Sequence, residues 1–391
     1  MGDSYWMHTT DDACCPSLTR SQKVDIAVIG GGLSGLHSAL KISEDNPDVR
    51  IALLEKNRVC SDASGRTMAK LAVSHSRIFP RLSAEEAKRY LQANQEGFDR
   101  TIDLIEKYRI DCGLKRITNY IFATSEKHLE HVKKDYTAMR RVGLDVEWLD
   151  FPDIDLPEIP LNFLGCIRHR NQAEFHPRAF ALGMLHVLQD RGVNVFEHTK
   201  VENISEQNKA VLLKLENNAV LEAQKVIVAT RVGILPVEPY DDALSSWRSH
   251  MNAYVLNERL IRDVYTRYDP VVTSFRSHGA DLILGGSDTT TPPCDHEKHY
   301  EAIHSWAKQA FAQISADKQP KALSWSGEDL DSYDRLPLIG PYRKGSQRVF
   351  MASGFSGWGM TKSAFAGLML ADLVAGKHHY CAHAYTPWRT H

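Results

Sequence analysis

Three glycines spaced Gly30-x-Gly32-x-x-Gly35 constrain this chain more than any other feature. Alone, the pattern is common; its flanks give it meaning. Val24–Ile29 is a short apolar run, broken by Asp25, and reads as a buried parallel strand. Leu36–Ile42 reads as a helix and Arg50–Leu54 as the next strand, so the whole is one βαβ unit. Gly30 permits a tight turn, Gly32 lets backbone approach a pyrophosphate, and Gly35 lets helix and strand close up. The helix start at Leu33 and Ser34 offers free N–H groups and a positive dipole end to phosphates. Glu55, followed by Lys56, stands about 20 residues after the last glycine, the spacing of an acid that binds ribose hydroxyls. These residues predict a dinucleotide site. The same physics serves NAD or FAD, so an NAD(P)-dependent dehydrogenase stays open at this point, as does a glycine turn that binds nothing.

At 391 residues the chain suits two domains. A long helix is predicted from Ser83 to Ile110, with Ser83 and Glu86 as its capping box. Another runs from Glu126 to Arg141 and stops at Gly143, and Phe151–Pro160 reads as a connection. Pro177 opens a helix that ends near Gly192, and Val193–Phe196 is a strand. Val211–Glu216 and Ala219–Glu222 read as a hairpin about Asn217-Asn218, and Lys225–Thr230 as a separate buried strand. Strands at Ala253–Leu256, Val271–Arg276, Leu282–Gly286 and Ala322–Ser326, with one helix at Glu297–Ile314, make a mainly antiparallel region. The strand Val349–Ala352, a glycine turn and a helix at Thr361–Ala375 close the chain.

Several functions are disfavoured. The net charge of −2, with Lys and Arg spread evenly, provides no basic stripe for nucleic acid. No apolar run reaches the length of a membrane span, and Met1–Asp12 is too polar for a secretory signal. Seven scattered cysteines suit free thiols in a reducing cytoplasm. Cys294, His296 and His299, and His378, His379, Cys381 and His383, lack matching halves at structural-zinc spacing, so no metal is expected. Nothing fixes an oligomeric state.

Further segments carry a resemblance. Ser64-Gly65-Arg66-Thr67-Met68-Ala69-Lys70, Phe175–Arg178 with Val193–Val201, and Ser353-Gly354-Phe355-Ser356-Gly357-Trp358-Gly359-Met360-Thr361 resemble the flavin-binding segments of the D-amino-acid oxidase (DAO) superfamily. Trp325-Ser326-Gly327 and Asp334–Pro337 extend the likeness, which is greatest to glycine oxidase, γ-glutamylputrescine oxidase and the DAO-type flavoproteins with a C-terminal Rieske domain. No Rieske cysteine–histidine pattern follows, so no iron–sulfur cluster is expected. The resemblance implies an α/β fold: a Rossmann-like FAD-binding domain of the GR2 type (residues 20–80, 150–240 and 335–391), interleaved with a mainly antiparallel α+β substrate domain (81–149 and 241–334). It implies non-covalent FAD, because relatives with covalent flavin place Cys or His where this chain has Gly327 and Met68. Val201 is expected at the adenine, Thr230 elsewhere in the cofactor site, and Ser64–Thr67 with Gly354, Phe355, Gly357, Trp358, Gly359, Met360 and Thr361 around the flavin.

The implied reaction is oxidation of a small amine or amino acid to an imine by hydride transfer to flavin N5, with O2 as acceptor giving H2O2. Ile283 stands where sarcosine-oxidase relatives carry an oxygen-activating lysine, which keeps open a dehydrogenase passing electrons to a quinone or protein. Asp329 stands near the place of the family's carboxylate-gripping arginine and hints at a cationic amine, although Glu328-Asp329-Leu330-Asp331 also suits a solvated loop. Arg276, beside His278, is the remaining candidate carboxylate clamp, with a surface salt bridge as its plainer reading. Tyr254 and Trp358 are aromatic-wall candidates, equally suited to core packing. Arg66 and Lys70 can pair with phosphate or the flavin ring, and His75 can face the pocket or simply be hydrogen-bonded in place.

Overall fold

The computed structural model describes residues 2–11, 14–150, 163–231, 243–290, 295–315 and 323–389. From the N-terminus these form α1 (Tyr5–His8), β1 (Gln22–Ile29), α2 (Leu33–Asp45), β2 (Ile51–Leu54), β3 (Lys70–Leu71), α3 (Ala84–Lys107), β4 (Lys115–Ala123), α4 (Glu126–Arg141), β5 (Glu147–Asp150) and β6 (Gly165–Glu174). Then come α5 (Pro177–Asp190), β7 (Asn194–Phe196), β8 (Val201–Glu206), β9 (Val211–Leu215), β10 (Val220–Val228) and β11 (Leu244–Tyr254). The remainder is β12 (Val264–Arg267), β13 (Val272–His278), β14 (Asp281–Thr290), α6 (His296–Ala310), α7 (Ala312–Ser315), β15 (Leu323–Ser332), β16 (Leu338–Pro341), β17 (Val349–Ser353), α8 (Gly359–Val374) and α9 (Ala382–Tyr385).

Two sheets organise these strands. The first runs β16-β17-β10-β1-β2-β7, with β9 and β8 added beyond β10. Its centre is parallel, with Val28 opposite both Leu53 and Ile227. Alternation along the strands decides the layers. Ile26, Val28, Ile51 and Leu53 face the core shared with α2, α5 and α8, while Ala27, Ile29, Ala52 and Leu54 face the core under the β8–β9 hairpin. Helix α8 is apolar nearly all round because it is wedged between α2 and α3. Gly367 and Gly97 make room for it: added β-carbons would lie 2.6 Å from His37 and 2.4 Å from the Thr361 carbonyl.

The second sheet runs β15-β11-β14-β13-β12-β4-β6-β3, with β5 beside β6. It is antiparallel except where β12 meets β4. Its far face packs Phe122, Tyr265, Phe275 and Leu284 against Ile303 and Ala307 of α6.

Local signals in the sequence gave the right elements. Ser83 and Glu86 form both hydrogen bonds of a capping box, Pro177 opens α5, and Asn218 takes φ +66° in the β9–β10 turn. Some expectations need correction. Residues 219–230 hold one strand, β10, rather than two, and the helix expected to Ile314 breaks at Phe311 into α6 and α7. The strands β3, β4, β5, β6, β8, β12 and β16 and the helices α1 and α9 are not among the elements predicted from sequence. Strand β6 lies within 150–240, yet it pairs with β4 and β3 in the second sheet. The connection expected at 151–160 lies outside the described residues.

Candidate cofactor cleft and active site

The two glycine turns, from opposite ends of the chain, open onto one cleft. Helix α2 is preceded by the cap Gly32 and α8 by the cap Trp358, neither of which supplies a side-chain hydrogen bond; apart from that of Leu33, which Ser64 accepts, the first-turn N–H groups are left for a ligand. The cleft has two arms. A wide arm of about 520 Å³ is lined by Gly30, Gly32, Glu55, Lys56, Ser64, Val201 and Thr230 among others. A narrower arm of about 200 Å³ is lined by Leu33, Ser34, Arg66, Thr67, Met68, Lys70, Phe355, Gly357, Trp358, Gly359 and Met360, together with Ser249, Asp288 and Asp329. Ala63, Ser64 and Glu328 line both, so the arms join.

The first glycine turn has the geometry its spacing implies. Gly30 takes φ +110°, and a β-carbon on Gly35 would lie 2.0 Å from the Gly30 carbonyl oxygen, which is how close α2 sits to β1. At Gly32 a β-carbon would meet only Ser64, with Oγ 3.1 Å away; its position faces the cleft. Ser64 Oγ accepts the Leu33 N–H at 3.1 Å and ties the second turn to the start of α2. The Glu55 carboxylate accepts the N–H groups of Gly31 (2.7 Å) and Asn57 (2.8 Å), fixing it in the lining of the wide arm, and burial raises its pKa. Gly35, Gly65, Gly354 and Thr361 frame the cleft without lining it. Gly354 takes φ +68° in the second turn, and Thr361 Oγ1 donates to the Ala72 carbonyl at 2.8 Å.

The segment Arg66–Lys70 crosses the face of the second sheet, and two glycines admit it. A β-carbon on Gly327 would lie 2.9 Å from the Arg66 carbonyl oxygen, and one on Gly285 2.6 Å from Met68 Sδ. Helix α1 clasps the same segment from outside. Ser4 Oγ donates to the Gly65 carbonyl at 2.5 Å, and Trp6 Nε1 to the Thr67 carbonyl at 2.7 Å. Tyr5 reaches on to Asp281 at 2.7 Å.

Several expected pocket residues are committed elsewhere. Arg276 is fully buried, ion-paired with Glu174 at 3.1 Å, and donates to the Met68 (3.2 Å) and Ala69 (2.5 Å) carbonyls; it does not line the cleft. It pins the Arg66–Lys70 segment to β13 from behind the cleft wall. Tyr254 is fully buried among Asn252, His304 and the core behind the sheet. Ile283 is buried on β14, between Ala253 and Arg276 on the neighbouring strands. Asp329 lines the cleft, but its carboxylate accepts the N–H groups of Gly357 (2.7 Å) and Leu330 (2.7 Å), shaping the second turn. Burial pushes its pKa up to about 6.

Trp358 stands at the cleft wall and stacks on His75, with ring centroids 4.3 Å apart. His75 Nε2 lies 2.6 Å from the Ala72 carbonyl, which only accepts, so that nitrogen carries the proton. Nδ1 then accepts from Tyr90 Oη at 2.6 Å. Burial holds this imidazole neutral, behind Trp358 and out of the cleft. Arg66 donates to the carbonyls of Ser61, Ser326 and Gly2. Asp288 and Ser249 had no sequence signal, since single polar residues in strands look alike until the sheet is assembled. Among the described residues no group of three or more His, Cys, Asp or Glu is arranged to hold a metal; Cys294 lies outside them. No helix among them is long and apolar enough to cross a membrane.

Comparison with known proteins gives one consistent likeness. A family model described as DAO, FAD dependent oxidoreductase, matches residues 25–373. The chain is 26% identical over its whole length to a Bacillus subtilis protein named as a Rieske 2Fe-2S iron–sulfur protein, YhfW, of which it covers 76%. It is 25% identical over 92% of its length to the γ-glutamylputrescine oxidoreductase of Escherichia coli, of which it covers 85%. The glycine oxidase structure from Geobacillus kaustophilus superposes with a TM-score of 0.81 at 19% identity, covering 95% of this chain and 100% of that one.

Proposed function

The chain belongs to the DAO family of FAD-dependent oxidoreductases, and from that premise we propose that it oxidises the C–N bond of a small amine or amino acid to an imine. The carrying observation is the pair of uncapped helix starts, α2 and α8, facing one joined cleft. The residues present fit FAD. Near the junction of the arms the Ser34 N–H would meet the pyrophosphate across the open space at Gly32, the Leu33 N–H being given to Ser64, and in the wide arm Glu55 would hold ribose hydroxyls. Val201 and Thr230, which line that arm, would border the adenine. In the narrow arm, Ser64, Arg66, Thr67, Phe355, Gly357, Trp358, Gly359 and Met360 would surround the ring, and the start of α8 would stabilise negative charge on it. Neither Met68 nor Gly327 offers a nucleophile, so the cofactor is held without a covalent bond. Bound there, FAD supplies a two-electron acceptor.

The chain's own part is to hold the substrate in register and keep water out. The amine loses a hydride from carbon to the two-electron acceptor and a proton from nitrogen to solvent, and C=N forms. The glycine oxidase fold and the γ-glutamylputrescine oxidoreductase relative support a C–N substrate. Oxygen is the proposed final acceptor, giving H2O2.

Purified protein offered FAD should turn yellow, and an anaerobic screen of glycine, sarcosine, D-amino acids, putrescine and γ-glutamylputrescine should bleach it with at least one compound. Lack of bound flavin, or of bleaching by any amine, overturns the reading. Turnover without oxygen consumption would assign the electrons to another acceptor.

A further inference from the structure

Five ionisable side chains line the narrow arm: Arg66, Lys70, Asp288, Glu328 and Asp329. Three are satisfied within the protein. Arg66 donates to backbone carbonyls, Asp329 accepts two backbone N–H groups, and Glu328 is ion-paired with Arg231 (2.6 Å) and Arg248 (3.1 Å). Lys70 and Asp288 remain. The Lys70 ammonium donates to Thr266 Oγ1 at 3.1 Å and lies 4.9 Å from the centroid of the Trp358 ring. An ammonium has three donors, so this contact leaves capacity for a ligand. Asp288 accepts from Ser249 on the neighbouring strand, and a carboxylate has about four acceptor sites. Each favours the charged form of the other, yet no ion pair joins them among the described residues. Two opposite charges on the walls of one arm, each with unused hydrogen-bonding capacity, match a dipolar guest.

We propose that Lys70 and Asp288 form a specificity pair in which Lys70 holds a substrate carboxylate and Asp288 its ammonium, so that the substrate is an amino acid and not a carboxylate-free amine. This rests on the function proposed above and narrows it. The two positions come from β3 and β14, far apart in the chain, and meet because the Arg66–Lys70 segment crosses the second sheet.

The test uses the FAD-loaded full chain and the variants Lys70→Met and Asp288→Asn. Acetate, which the enzyme cannot oxidise, is titrated against the flavin absorbance spectrum, and propylamine likewise. Acetate should bind the parent protein saturably and weaken more than about tenfold in Lys70→Met, while Lys70→Arg retains it. Propylamine should weaken by a similar factor in Asp288→Asn and little in Lys70→Met. In turnover, Lys70→Met should raise KM for the amino acid found by screening with kcat nearly kept. Unchanged acetate binding in a flavin-loaded Lys70→Met protein overturns the proposal. So does a Lys70→Met protein that sheds FAD, because the lysine would then serve the cofactor, and so does a parent enzyme that prefers the decarboxylated amine. The acetate titration needs bound flavin but no turnover, so it fails separately from the oxidase reading.

Discussion

At Gly32 an added β-carbon would touch only Ser64, whereas at Gly35 it would strike the Gly30 carbonyl oxygen at 2.0 Å. The two glycines should therefore fail differently. Gly32→Val should fold, with a parent-like circular dichroism spectrum, but lose FAD because its branches fill the space where a pyrophosphate approaches. Gly35→Ala should lower the melting temperature itself, since helix and strand must move apart. Gly32→Val protein with stoichiometric flavin would show the site to be elsewhere. Lys70 carries the other residue-scale prediction. Burial brings its pKa down to about 8, against the Asp288 charge that favours the ammonium and the Arg77 and Arg276 charges that oppose it. The ammonium is intact below that value and lost above it. Acetate affinity should then fall by more than about tenfold between pH 7.5 and 9.5, and stay flat in Lys70→Arg. The first turn was legible in the sequence because its parts are neighbours. The true role of Arg276 was not, because Glu174, Met68 and Ala69 reach it from distant segments.

Helices and hairpins with local punctuation, such as the Ser83 cap, Pro177 and Asn217-Asn218, could be read in advance. The strands β4 and β6 could not, since their identity depends on which sheet receives them. Helix α1 was illegible for a different reason: four residues cannot form a stable helix alone. It is ordered by where it docks. Tyr5 and Trp6 are buried, and the Trp6 ring packs edge-on against His176 and His278. Trp6→Phe keeps most of that packing but removes the donor to the Thr67 carbonyl, so the protein should stay folded while the Kd for FAD rises severalfold. Fluorescence titration of apoprotein with FAD measures this; an unchanged Kd would reduce α1 to a packing element. Trp6→Ala should cost about 3–5 kcal/mol of stability as well.

Across the whole molecule, the cleft draws its walls from both sheets: Glu55 and Thr230 follow strands of the first, and Ser249, Asp288 and Asp329 sit on strands of the second. A ligand that bridges them links the two in stability. FAD at about a hundred times its Kd should add about 2.7 kcal/mol, raising the melting temperature by several degrees. Calorimetry of apo and holo protein checks this, and a second-sheet transition that ignores FAD would argue against a shared site.

The clasp of α1 also sets a timetable. Tyr5 bonds to Asp281 and Trp6 leans on His278, so this turn finds its seat only once partners as far as 276 residues further along have been made. Fixing of the Gly65–Thr67 stretch thus belongs to a late stage of folding, after these distant residues have come together.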